Sequence, residues 1–163
     1  MLKILVVSDS HSSLSFMRWC VDQLKPDHIV HLGDHYDDGQ ALAGSYPHIR
    51  VHQVPGNCDG FCIGAKEPQV MCYDIGGVRF FMTHGHKHGV KSGDSILVGA
   101  ARGMQAQVAL YGHTHMADCY VTEDGMWVMN PGSCRGYGGT VGLVEIRDKK
   151  VISCRIMGQE DLI

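Results

Sequence analysis

The sequence predicts an α/β fold in which two β-sheets pack face to face with helices on the outside. Two patterns predict it. In the first half, short apolar runs alternate with helix-patterned segments, as in βαβ units. In the second half, such runs follow one another across tight turns, as in antiparallel sheets. The 163 residues suit a single domain spanning 1–163. A chain of this length buries about 70% of its unfolded surface, enough for a core without covalent staples.

Leu2–Ser8 is short, apolar and rich in β-branched residues, which marks a buried strand. Ser12 or Ser13 can cap the helix that follows, in which Leu14, Met17, Cys20, Val21 and Leu24 share one face. Lys25-Pro26 ends that helix, and His28–Leu32 forms the second strand. Residues 37–45 have the length of a short helix. Arg50–Val54 reads as a third strand, stopped by Pro55-Gly56. Gln69–Ile75 and Val78–Thr83 flank Gly76-Gly77, a hairpin signal. Asp94–Gln107 is helical in pattern, although Gly99 and Gly103 weaken it, and Val108–Tyr111 is a strand. Cys119–Thr122, Met126–Met129, Thr140–Ile146 and Val151–Ile156 read as antiparallel strands, with turns at Asp124-Gly125 and Asp148–Lys150. No repeat or low-complexity segment interrupts them.

The net charge of -3 argues against a broad electrostatic grip on nucleic acid or an anionic membrane. A small phosphate ester stays compatible, because bound cations reverse the local sign. Seven cysteines without a C-x-x-C pair, and a chain that opens directly as a strand, suit a reduced cytoplasmic protein. Its cysteines then pack as small hydrophobes.

Five polar clusters sit where apolar runs end: Asp9-Ser10-His11, Gly33-Asp34, Gly56-Asn57-Cys58-Asp59, His84-Gly85-His86 and Gly112-His113-Thr114-His115. A parallel sheet with its strands ending on one side gathers such clusters at one edge. Along an extended backbone Asp9 and His11 point the same way. Taken singly, most of these have ordinary explanations, as turns, caps or solvated loops. Gly112–His115 is the exception, since two imidazoles two apart after a strand and a glycine have few structural uses. Jointly, Asp9, His11, Asp34, Asn57, His84, His113 and His115 offer two carboxylates, one amide and four imidazoles. That set suffices for two ions sharing Asp34. It lacks thiolate, which disfavours a structural zinc site, and its mixed oxygen and nitrogen donors suit manganese, iron, zinc or nickel.

In this order the residues match D-x-H, G-D, G-N, H and G-H-x-H, and the chain resembles the calcineurin-like metallophosphoesterases along nearly its whole length. Its size and Asn130-Pro131-Gly132-Ser133 are similar to the compact bacterial and archaeal phosphodiesterases, a subgroup that includes the retromer subunit of the same fold. The resemblance implies the metallo-dependent phosphatase-like fold, a four-layer α/β/β/α sandwich. It implies one divalent metal on Asp9, His11, Asp34 and His115 and a second on Asp34, Asn57, His84 and His113, manganese first among the candidates. His86 then contacts a phosphate oxygen or the leaving group as the catalytic side chain, and Asn57 and His86 face the substrate. The implied reaction is hydrolysis of a small phosphodiester by a hydroxide bridging two ions about 3.5–4 Å apart. Cys58 stands where many members of the family carry a histidine that serves as general acid. A protein-binding scaffold of the same fold and a phosphomonoesterase are the alternatives. A Rossmann module is disfavoured, because Asp-Ser-His replaces a glycine-rich loop after the first strand. Asp59 is read as a loop cap, Arg135 as a surface residue, and His28, His31, His35, His48, His52 and His88 as surface or hydrogen-bonded strand residues. Association with further copies of the chain stays open.

Overall fold

A computed structural model describes residues 1–11, 14–34, 36–56, 59, 69–136 and 138–162. The strands are β1 (Leu2–Val7), β2 (His28–His31), β3 (Arg50–Gln53), β4 (Val70–Ile75), β5 (Val78–Thr83), β6 (Val108–Leu110), β7 (Asp118–Val121), β8 (Trp127–Asn130), β9 (Thr140–Arg147) and β10 (Lys150–Gly158). The described α-helices are α1 (Leu14–Leu24), α2 (Tyr36–Ser45) and α3 (Ser95–Gly103).

The strands form two five-stranded sheets, ordered β10-β9-β1-β2-β3 and β4-β5-β6-β8-β7. Both are mixed. In the first, β1, β2 and β3 run parallel and β9 and β10 add antiparallel strands. In the second, β5, β6 and β8 run parallel, with β4 and β7 antiparallel at the edges. The five polar clusters therefore do not share one sheet. Three follow strands of the first sheet and two follow strands of the second.

Strand alternation builds four layers. Ile4, Val6, Val30 and Leu32 face Phe80, Met82, Val108 and Leu110 between the sheets. Leu5, Val7 and Ile29 point outward onto Phe16, Met17, Cys20 and Val21 of α1. Phe81, Ala109 and Val128 point outward onto Leu97, Val98 and Ala101 of α3. Gly76 and Gly77 both take positive φ, +61° and +83°, so β4 and β5 are joined by the tight turn that glycine pairs favour.

The third helix stops short of the sequence expectation, at Gly103 and not Gln107. Gln105 adopts φ 60°, and its N–H donates to the Arg102 carbonyl while that of Ala106 donates to Ala101. This is a Schellman ending, which satisfies the last carbonyls and frees residue 107 to lead into β6. The second helix buries an acid, Asp38. The expected caps at Ser12 and Ser13 lie outside the described residues. No helix among the described residues is long and apolar enough to cross a membrane.

Candidate metal centre

The loops after β1, β2, β5 and β6 meet at one edge of the sandwich and are tied together by their backbones. Asp9 N–H donates to the Gly33 carbonyl at 2.9 Å, and Gly112 N–H to that of His84 at 2.8 Å. The backbone there is not extended. Asp9, His11, Asp34, His113 and His115 have φ of 54°, 47°, 51°, 72° and 62°. Such left-handed conformations cost an L-residue about 1–2 kcal/mol each, although Asp and His tolerate them better than most. Asp9 and His11 therefore converge through a left-handed turn, and not through the strand alternation the sequence suggested. Gly33, at φ 105°, allows the closest approach. A Cβ on it would lie 2.6 Å from Gly56 N and 2.9 Å from His84 Nδ1.

Asp9, His11, Asp34 and His115 each offer a ligand atom, and these four atoms lie within 4.8 Å of one another. The carboxylates are buried, while His115 is exposed. The two oxygens of Asp9 have different surroundings. Its Oδ2 accepts hydrogen bonds from Ser8 Oγ at 2.7 Å and His113 N at 3.1 Å. Its Oδ1 is buried and accepts no hydrogen bond among the described residues, although His115 Nε2 stands 3.2 Å away. A buried acceptor left unsatisfied costs about 1–3 kcal/mol, and a cation satisfies it. The donor set fits a hard or borderline divalent ion.

A second group adjoins the first. His84 is fully buried, and its Nδ1–H donates to the Leu32 carbonyl at 2.8 Å. A carbonyl only accepts, so the His84 lone pair resides on Nε2. That atom lies 3.1 Å from His113 Nδ1 and 3.6 Å from Asp34 Oδ2. Two imidazole nitrogens bound to one ion at about 2.1 Å stand roughly 3.0–3.4 Å apart, so this pair can hold a cation between them. Asp34 reaches both groups. Asn57, expected as a further ligand, and Cys58 lie outside the described residues, as does His35.

His86 opens a 3-10 turn, His86–His88, directly after Gly85, which has φ 110°. Its ring centroid is 5.4 Å from that of His84 and 6.1 Å from that of His113. Burial first, then the neighbouring His84, His113 and Lys87, lower its proton affinity, so the ring is neutral near pH 7. The proton affinity of His113 is likewise lowered, by burial, His84 and Lys91. Lys87 is exposed, as a solvated loop residue should be, and His88 packs edge-on against Phe81.

Several residues hold these loops in place. Gly33 N–H donates to His31 Nδ1 at 3.2 Å, which leaves the proton of His31 on Nε2, 3.0 Å from Ser10 Oγ. Ser10 in turn donates to Asp38 Oδ2 at 2.6 Å. Burial lowers the His31 pKa to about 4, in keeping with this neutral tautomer. Asp59 accepts from Tyr36 N and Gly56 N, at 2.9 and 2.8 Å, and so ties the start of α2 to the end of β3. The Asn130 amide donates to the Gly112 carbonyl and to Thr114 Oγ1, and its oxygen accepts from Gly132 N. Ser133 donates to the Asp9 carbonyl at 2.9 Å, while Arg135 is exposed. The sequence did not signal Asp38, because a polar residue in a helix is ordinarily solvent-facing.

A model of the calcineurin-like phosphoesterase superfamily domain matches residues 2–149. A protein named as a probable metallophosphoesterase from Mycoplasma pneumoniae is 33% identical over 138 residues, 82% of this chain and 79% of that one. A phosphodiesterase from Methanocaldococcus jannaschii is 26% identical over 166 residues, 91% of this chain and 96% of its own length. Among solved structures, a predicted phosphoesterase from Streptococcus pneumoniae superposes with TM-score 0.76 at 25% identity, covering 98% of this chain and 90% of that one. Vps29 from Entamoeba histolytica, solved with Zn²⁺, gives 0.70 at 20% identity and covers 96% and 99%, which shows a shared fold.

Proposed function

The chain belongs to the calcineurin-like phosphoesterase superfamily, and from that premise we propose that it is a phosphodiesterase working with two divalent cations, manganese first. The convergence of Asp9, His11, Asp34 and His115 beside the His84–His113 pair carries this reading. On it, the first four residues hold one ion. Asp34, Asn57, His84 and His113 hold the other. Bound cations of this kind supply a hydroxide nucleophile at neutral pH and take up negative charge on the phosphate. The chain's own contribution is positional. The backbone bonds among the loops fix the ligand atoms before substrate arrives, so little reorganisation accompanies reaction. His86, neutral and beside both His84 and His113, orients a phosphate oxygen or the leaving group. The relative named as a phosphodiesterase supports the diester class.

The test is a comparison of bis(p-nitrophenyl) phosphate with p-nitrophenyl phosphate, using protein stripped by a chelator and reloaded with Mn²⁺. Faster release of p-nitrophenolate from the diester is expected. Faster hydrolysis of the monoester would turn the reading to a phosphomonoesterase. Hydrolysis of neither by fully loaded protein would turn it to a protein-binding scaffold.

A further inference from the structure

Beside the metal centre is a cavity of about 550 Å³ that the ligand set does not use. Its walls include Val90, Lys91, Tyr111, Thr114, Met116 and Asp118. Two chain segments build it, and both come straight from the centre. Thr114 stands between His113 and His115. Val90 and Lys91 form the 3-10 turn that follows the one begun by His86. The cavity therefore shares its walls with the loops that carry the candidate ligands.

The lining states which ester arm of a bound phosphate it fits. Val90 and Tyr111 are buried and supply an apolar floor, and Met116 is 74% exposed at the rim. A thioether at the edge of an aromatic ring is a favourable contact. The volume falls within the roughly 300–1,000 Å³ of small-molecule sites, and a methyl or ethyl arm leaves it mostly empty. Asp118 is exposed, and as a carboxylate it only accepts hydrogen bonds. It therefore favours a neutral arm carrying N–H or O–H groups and repels a further phosphate. Lys91 is exposed and forms no ion pair among the described residues, which leaves its ammonium for a phosphate oxygen.

We propose that this cavity is the subsite for a planar ring carried on an ester oxygen, so that the substrate class is an aryl or nucleoside phosphodiester without a second phosphate on that arm. The proposal rests on the phosphoesterase reading of the adjoining centre. Ring and phosphate have separate partners: Met116, Val90 and Tyr111 take the ring, and Lys91 takes the anion.

Calorimetric titration of the Mn²⁺-loaded chain with phenyl phosphate and with methyl phosphate tests it without requiring turnover. Phenyl phosphate should bind about tenfold more tightly, the ratio expected from covering one ring face. Ala117 also lines the cavity and is exposed, so Ala117→Trp, which adds bulk at that wall, should bring the two ligands to equal affinity while leaving methyl phosphate unchanged. Met116→Glu, on a side chain already in solvent, should reduce the preference in the same direction. Lys91→Ala should weaken both ligands alike. Equal affinity in the unaltered chain, or a preference that survives both cavity variants, would overturn the subsite. Hydrolysis of bis(p-nitrophenyl) phosphate, measured alongside, separates the two claims. Ring-selective binding without turnover upholds the subsite and defeats the phosphodiesterase. Turnover without ring selectivity does the reverse.

Discussion

Gly33→Ala is the sharpest perturbation of the site that leaves every candidate ligand in place. Two costs add. At φ 105° an L side chain is strained, which costs about 1–2 kcal/mol. The new Cβ would also lie 2.6 and 2.8 Å from the backbone N and Cα of Gly56, and 2.9 Å from a His84 ring held by its bond to Leu32. Backbone atoms cannot step aside cheaply, so overpacking adds about 1–3 kcal/mol. The total, about 2–5 kcal/mol, is a large part of the 5–15 kcal/mol that holds a typical domain together. Gly125→Ala isolates the first cost, because Gly125 has φ 88° and open space where its Cβ would go. Urea unfolding of both variants in chelator gives the two values without metal linkage. Gly33→Ala should cost more than Gly125→Ala by the crowding alone, and its Mn²⁺ affinity should fall because Asp34 is displaced from His84. Equal costs for the two substitutions, with unchanged Mn²⁺ affinity, would refute the close packing of the β2 and β3 loops.

Other outcomes follow from the same geometry. His113→Ala should abolish diester hydrolysis while costing about 1 kcal/mol of stability or less, because the side chain is only half-buried; unfolding curves and rates measured on one preparation check both. Asp59→Asn should destabilise the chain by about 1–3 kcal/mol in urea, because an amide NH₂ replaces one of two buried acceptors and faces the Tyr36 or Gly56 N–H. Acid should weaken the fold before carboxylates titrate. Burial lowers the pKa of His31 and of His52 to about 4, against 6.5 in the unfolded chain. Between those values the unfolded state binds more protons, so the stability each neutral ring confers is complete above about pH 6.5 and is lost as pH falls toward 4. At pH 5 the loss is about 2 kcal/mol per histidine. His52 bonds to His28 and Tyr73, away from the metal centre. His52→Gln should therefore flatten the pH dependence by about 2 kcal/mol in urea unfolding at pH 7 and pH 5. An unchanged slope would show that His52 is not titrating as a buried neutral ring.

The sequence revealed the elements and the clusters for a simple reason: an apolar run that stops at Asp, Asn or His both forms a strand and ends it. Ile4–Val7 and Val108–Tyr111 could be read this way from one dimension. Their partners could not. β8 inserts between β6 and β7, and β9 returns beside β1, pairings that depend on three-dimensional closure and leave no mark in a local pattern. Hence clusters expected along one parallel sheet are shared between two. The left-handed turns at Asp9 and His11 were hidden too, because no glycine announces them. Asp38 was unreadable for a different reason: its helix turns the carboxylate inward onto Ser10, which follows β1 and also meets His31 at the end of β2. Asn57, the expected amide ligand, and Cys58, which stands in place of a histidine, lie outside the described residues.

The central claim is that these loops bind divalent ions and use them on a phosphate ester. Chelator-stripped protein titrated with Mn²⁺, while hydrolysis of bis(p-nitrophenyl) phosphate is followed in the same samples, tests it most directly. Two ions per chain, with hydrolysis absent at the start and rising as the sites fill, is the predicted result. Full-rate hydrolysis in the presence of chelator, or a chain that takes up no Mn²⁺, would contradict it.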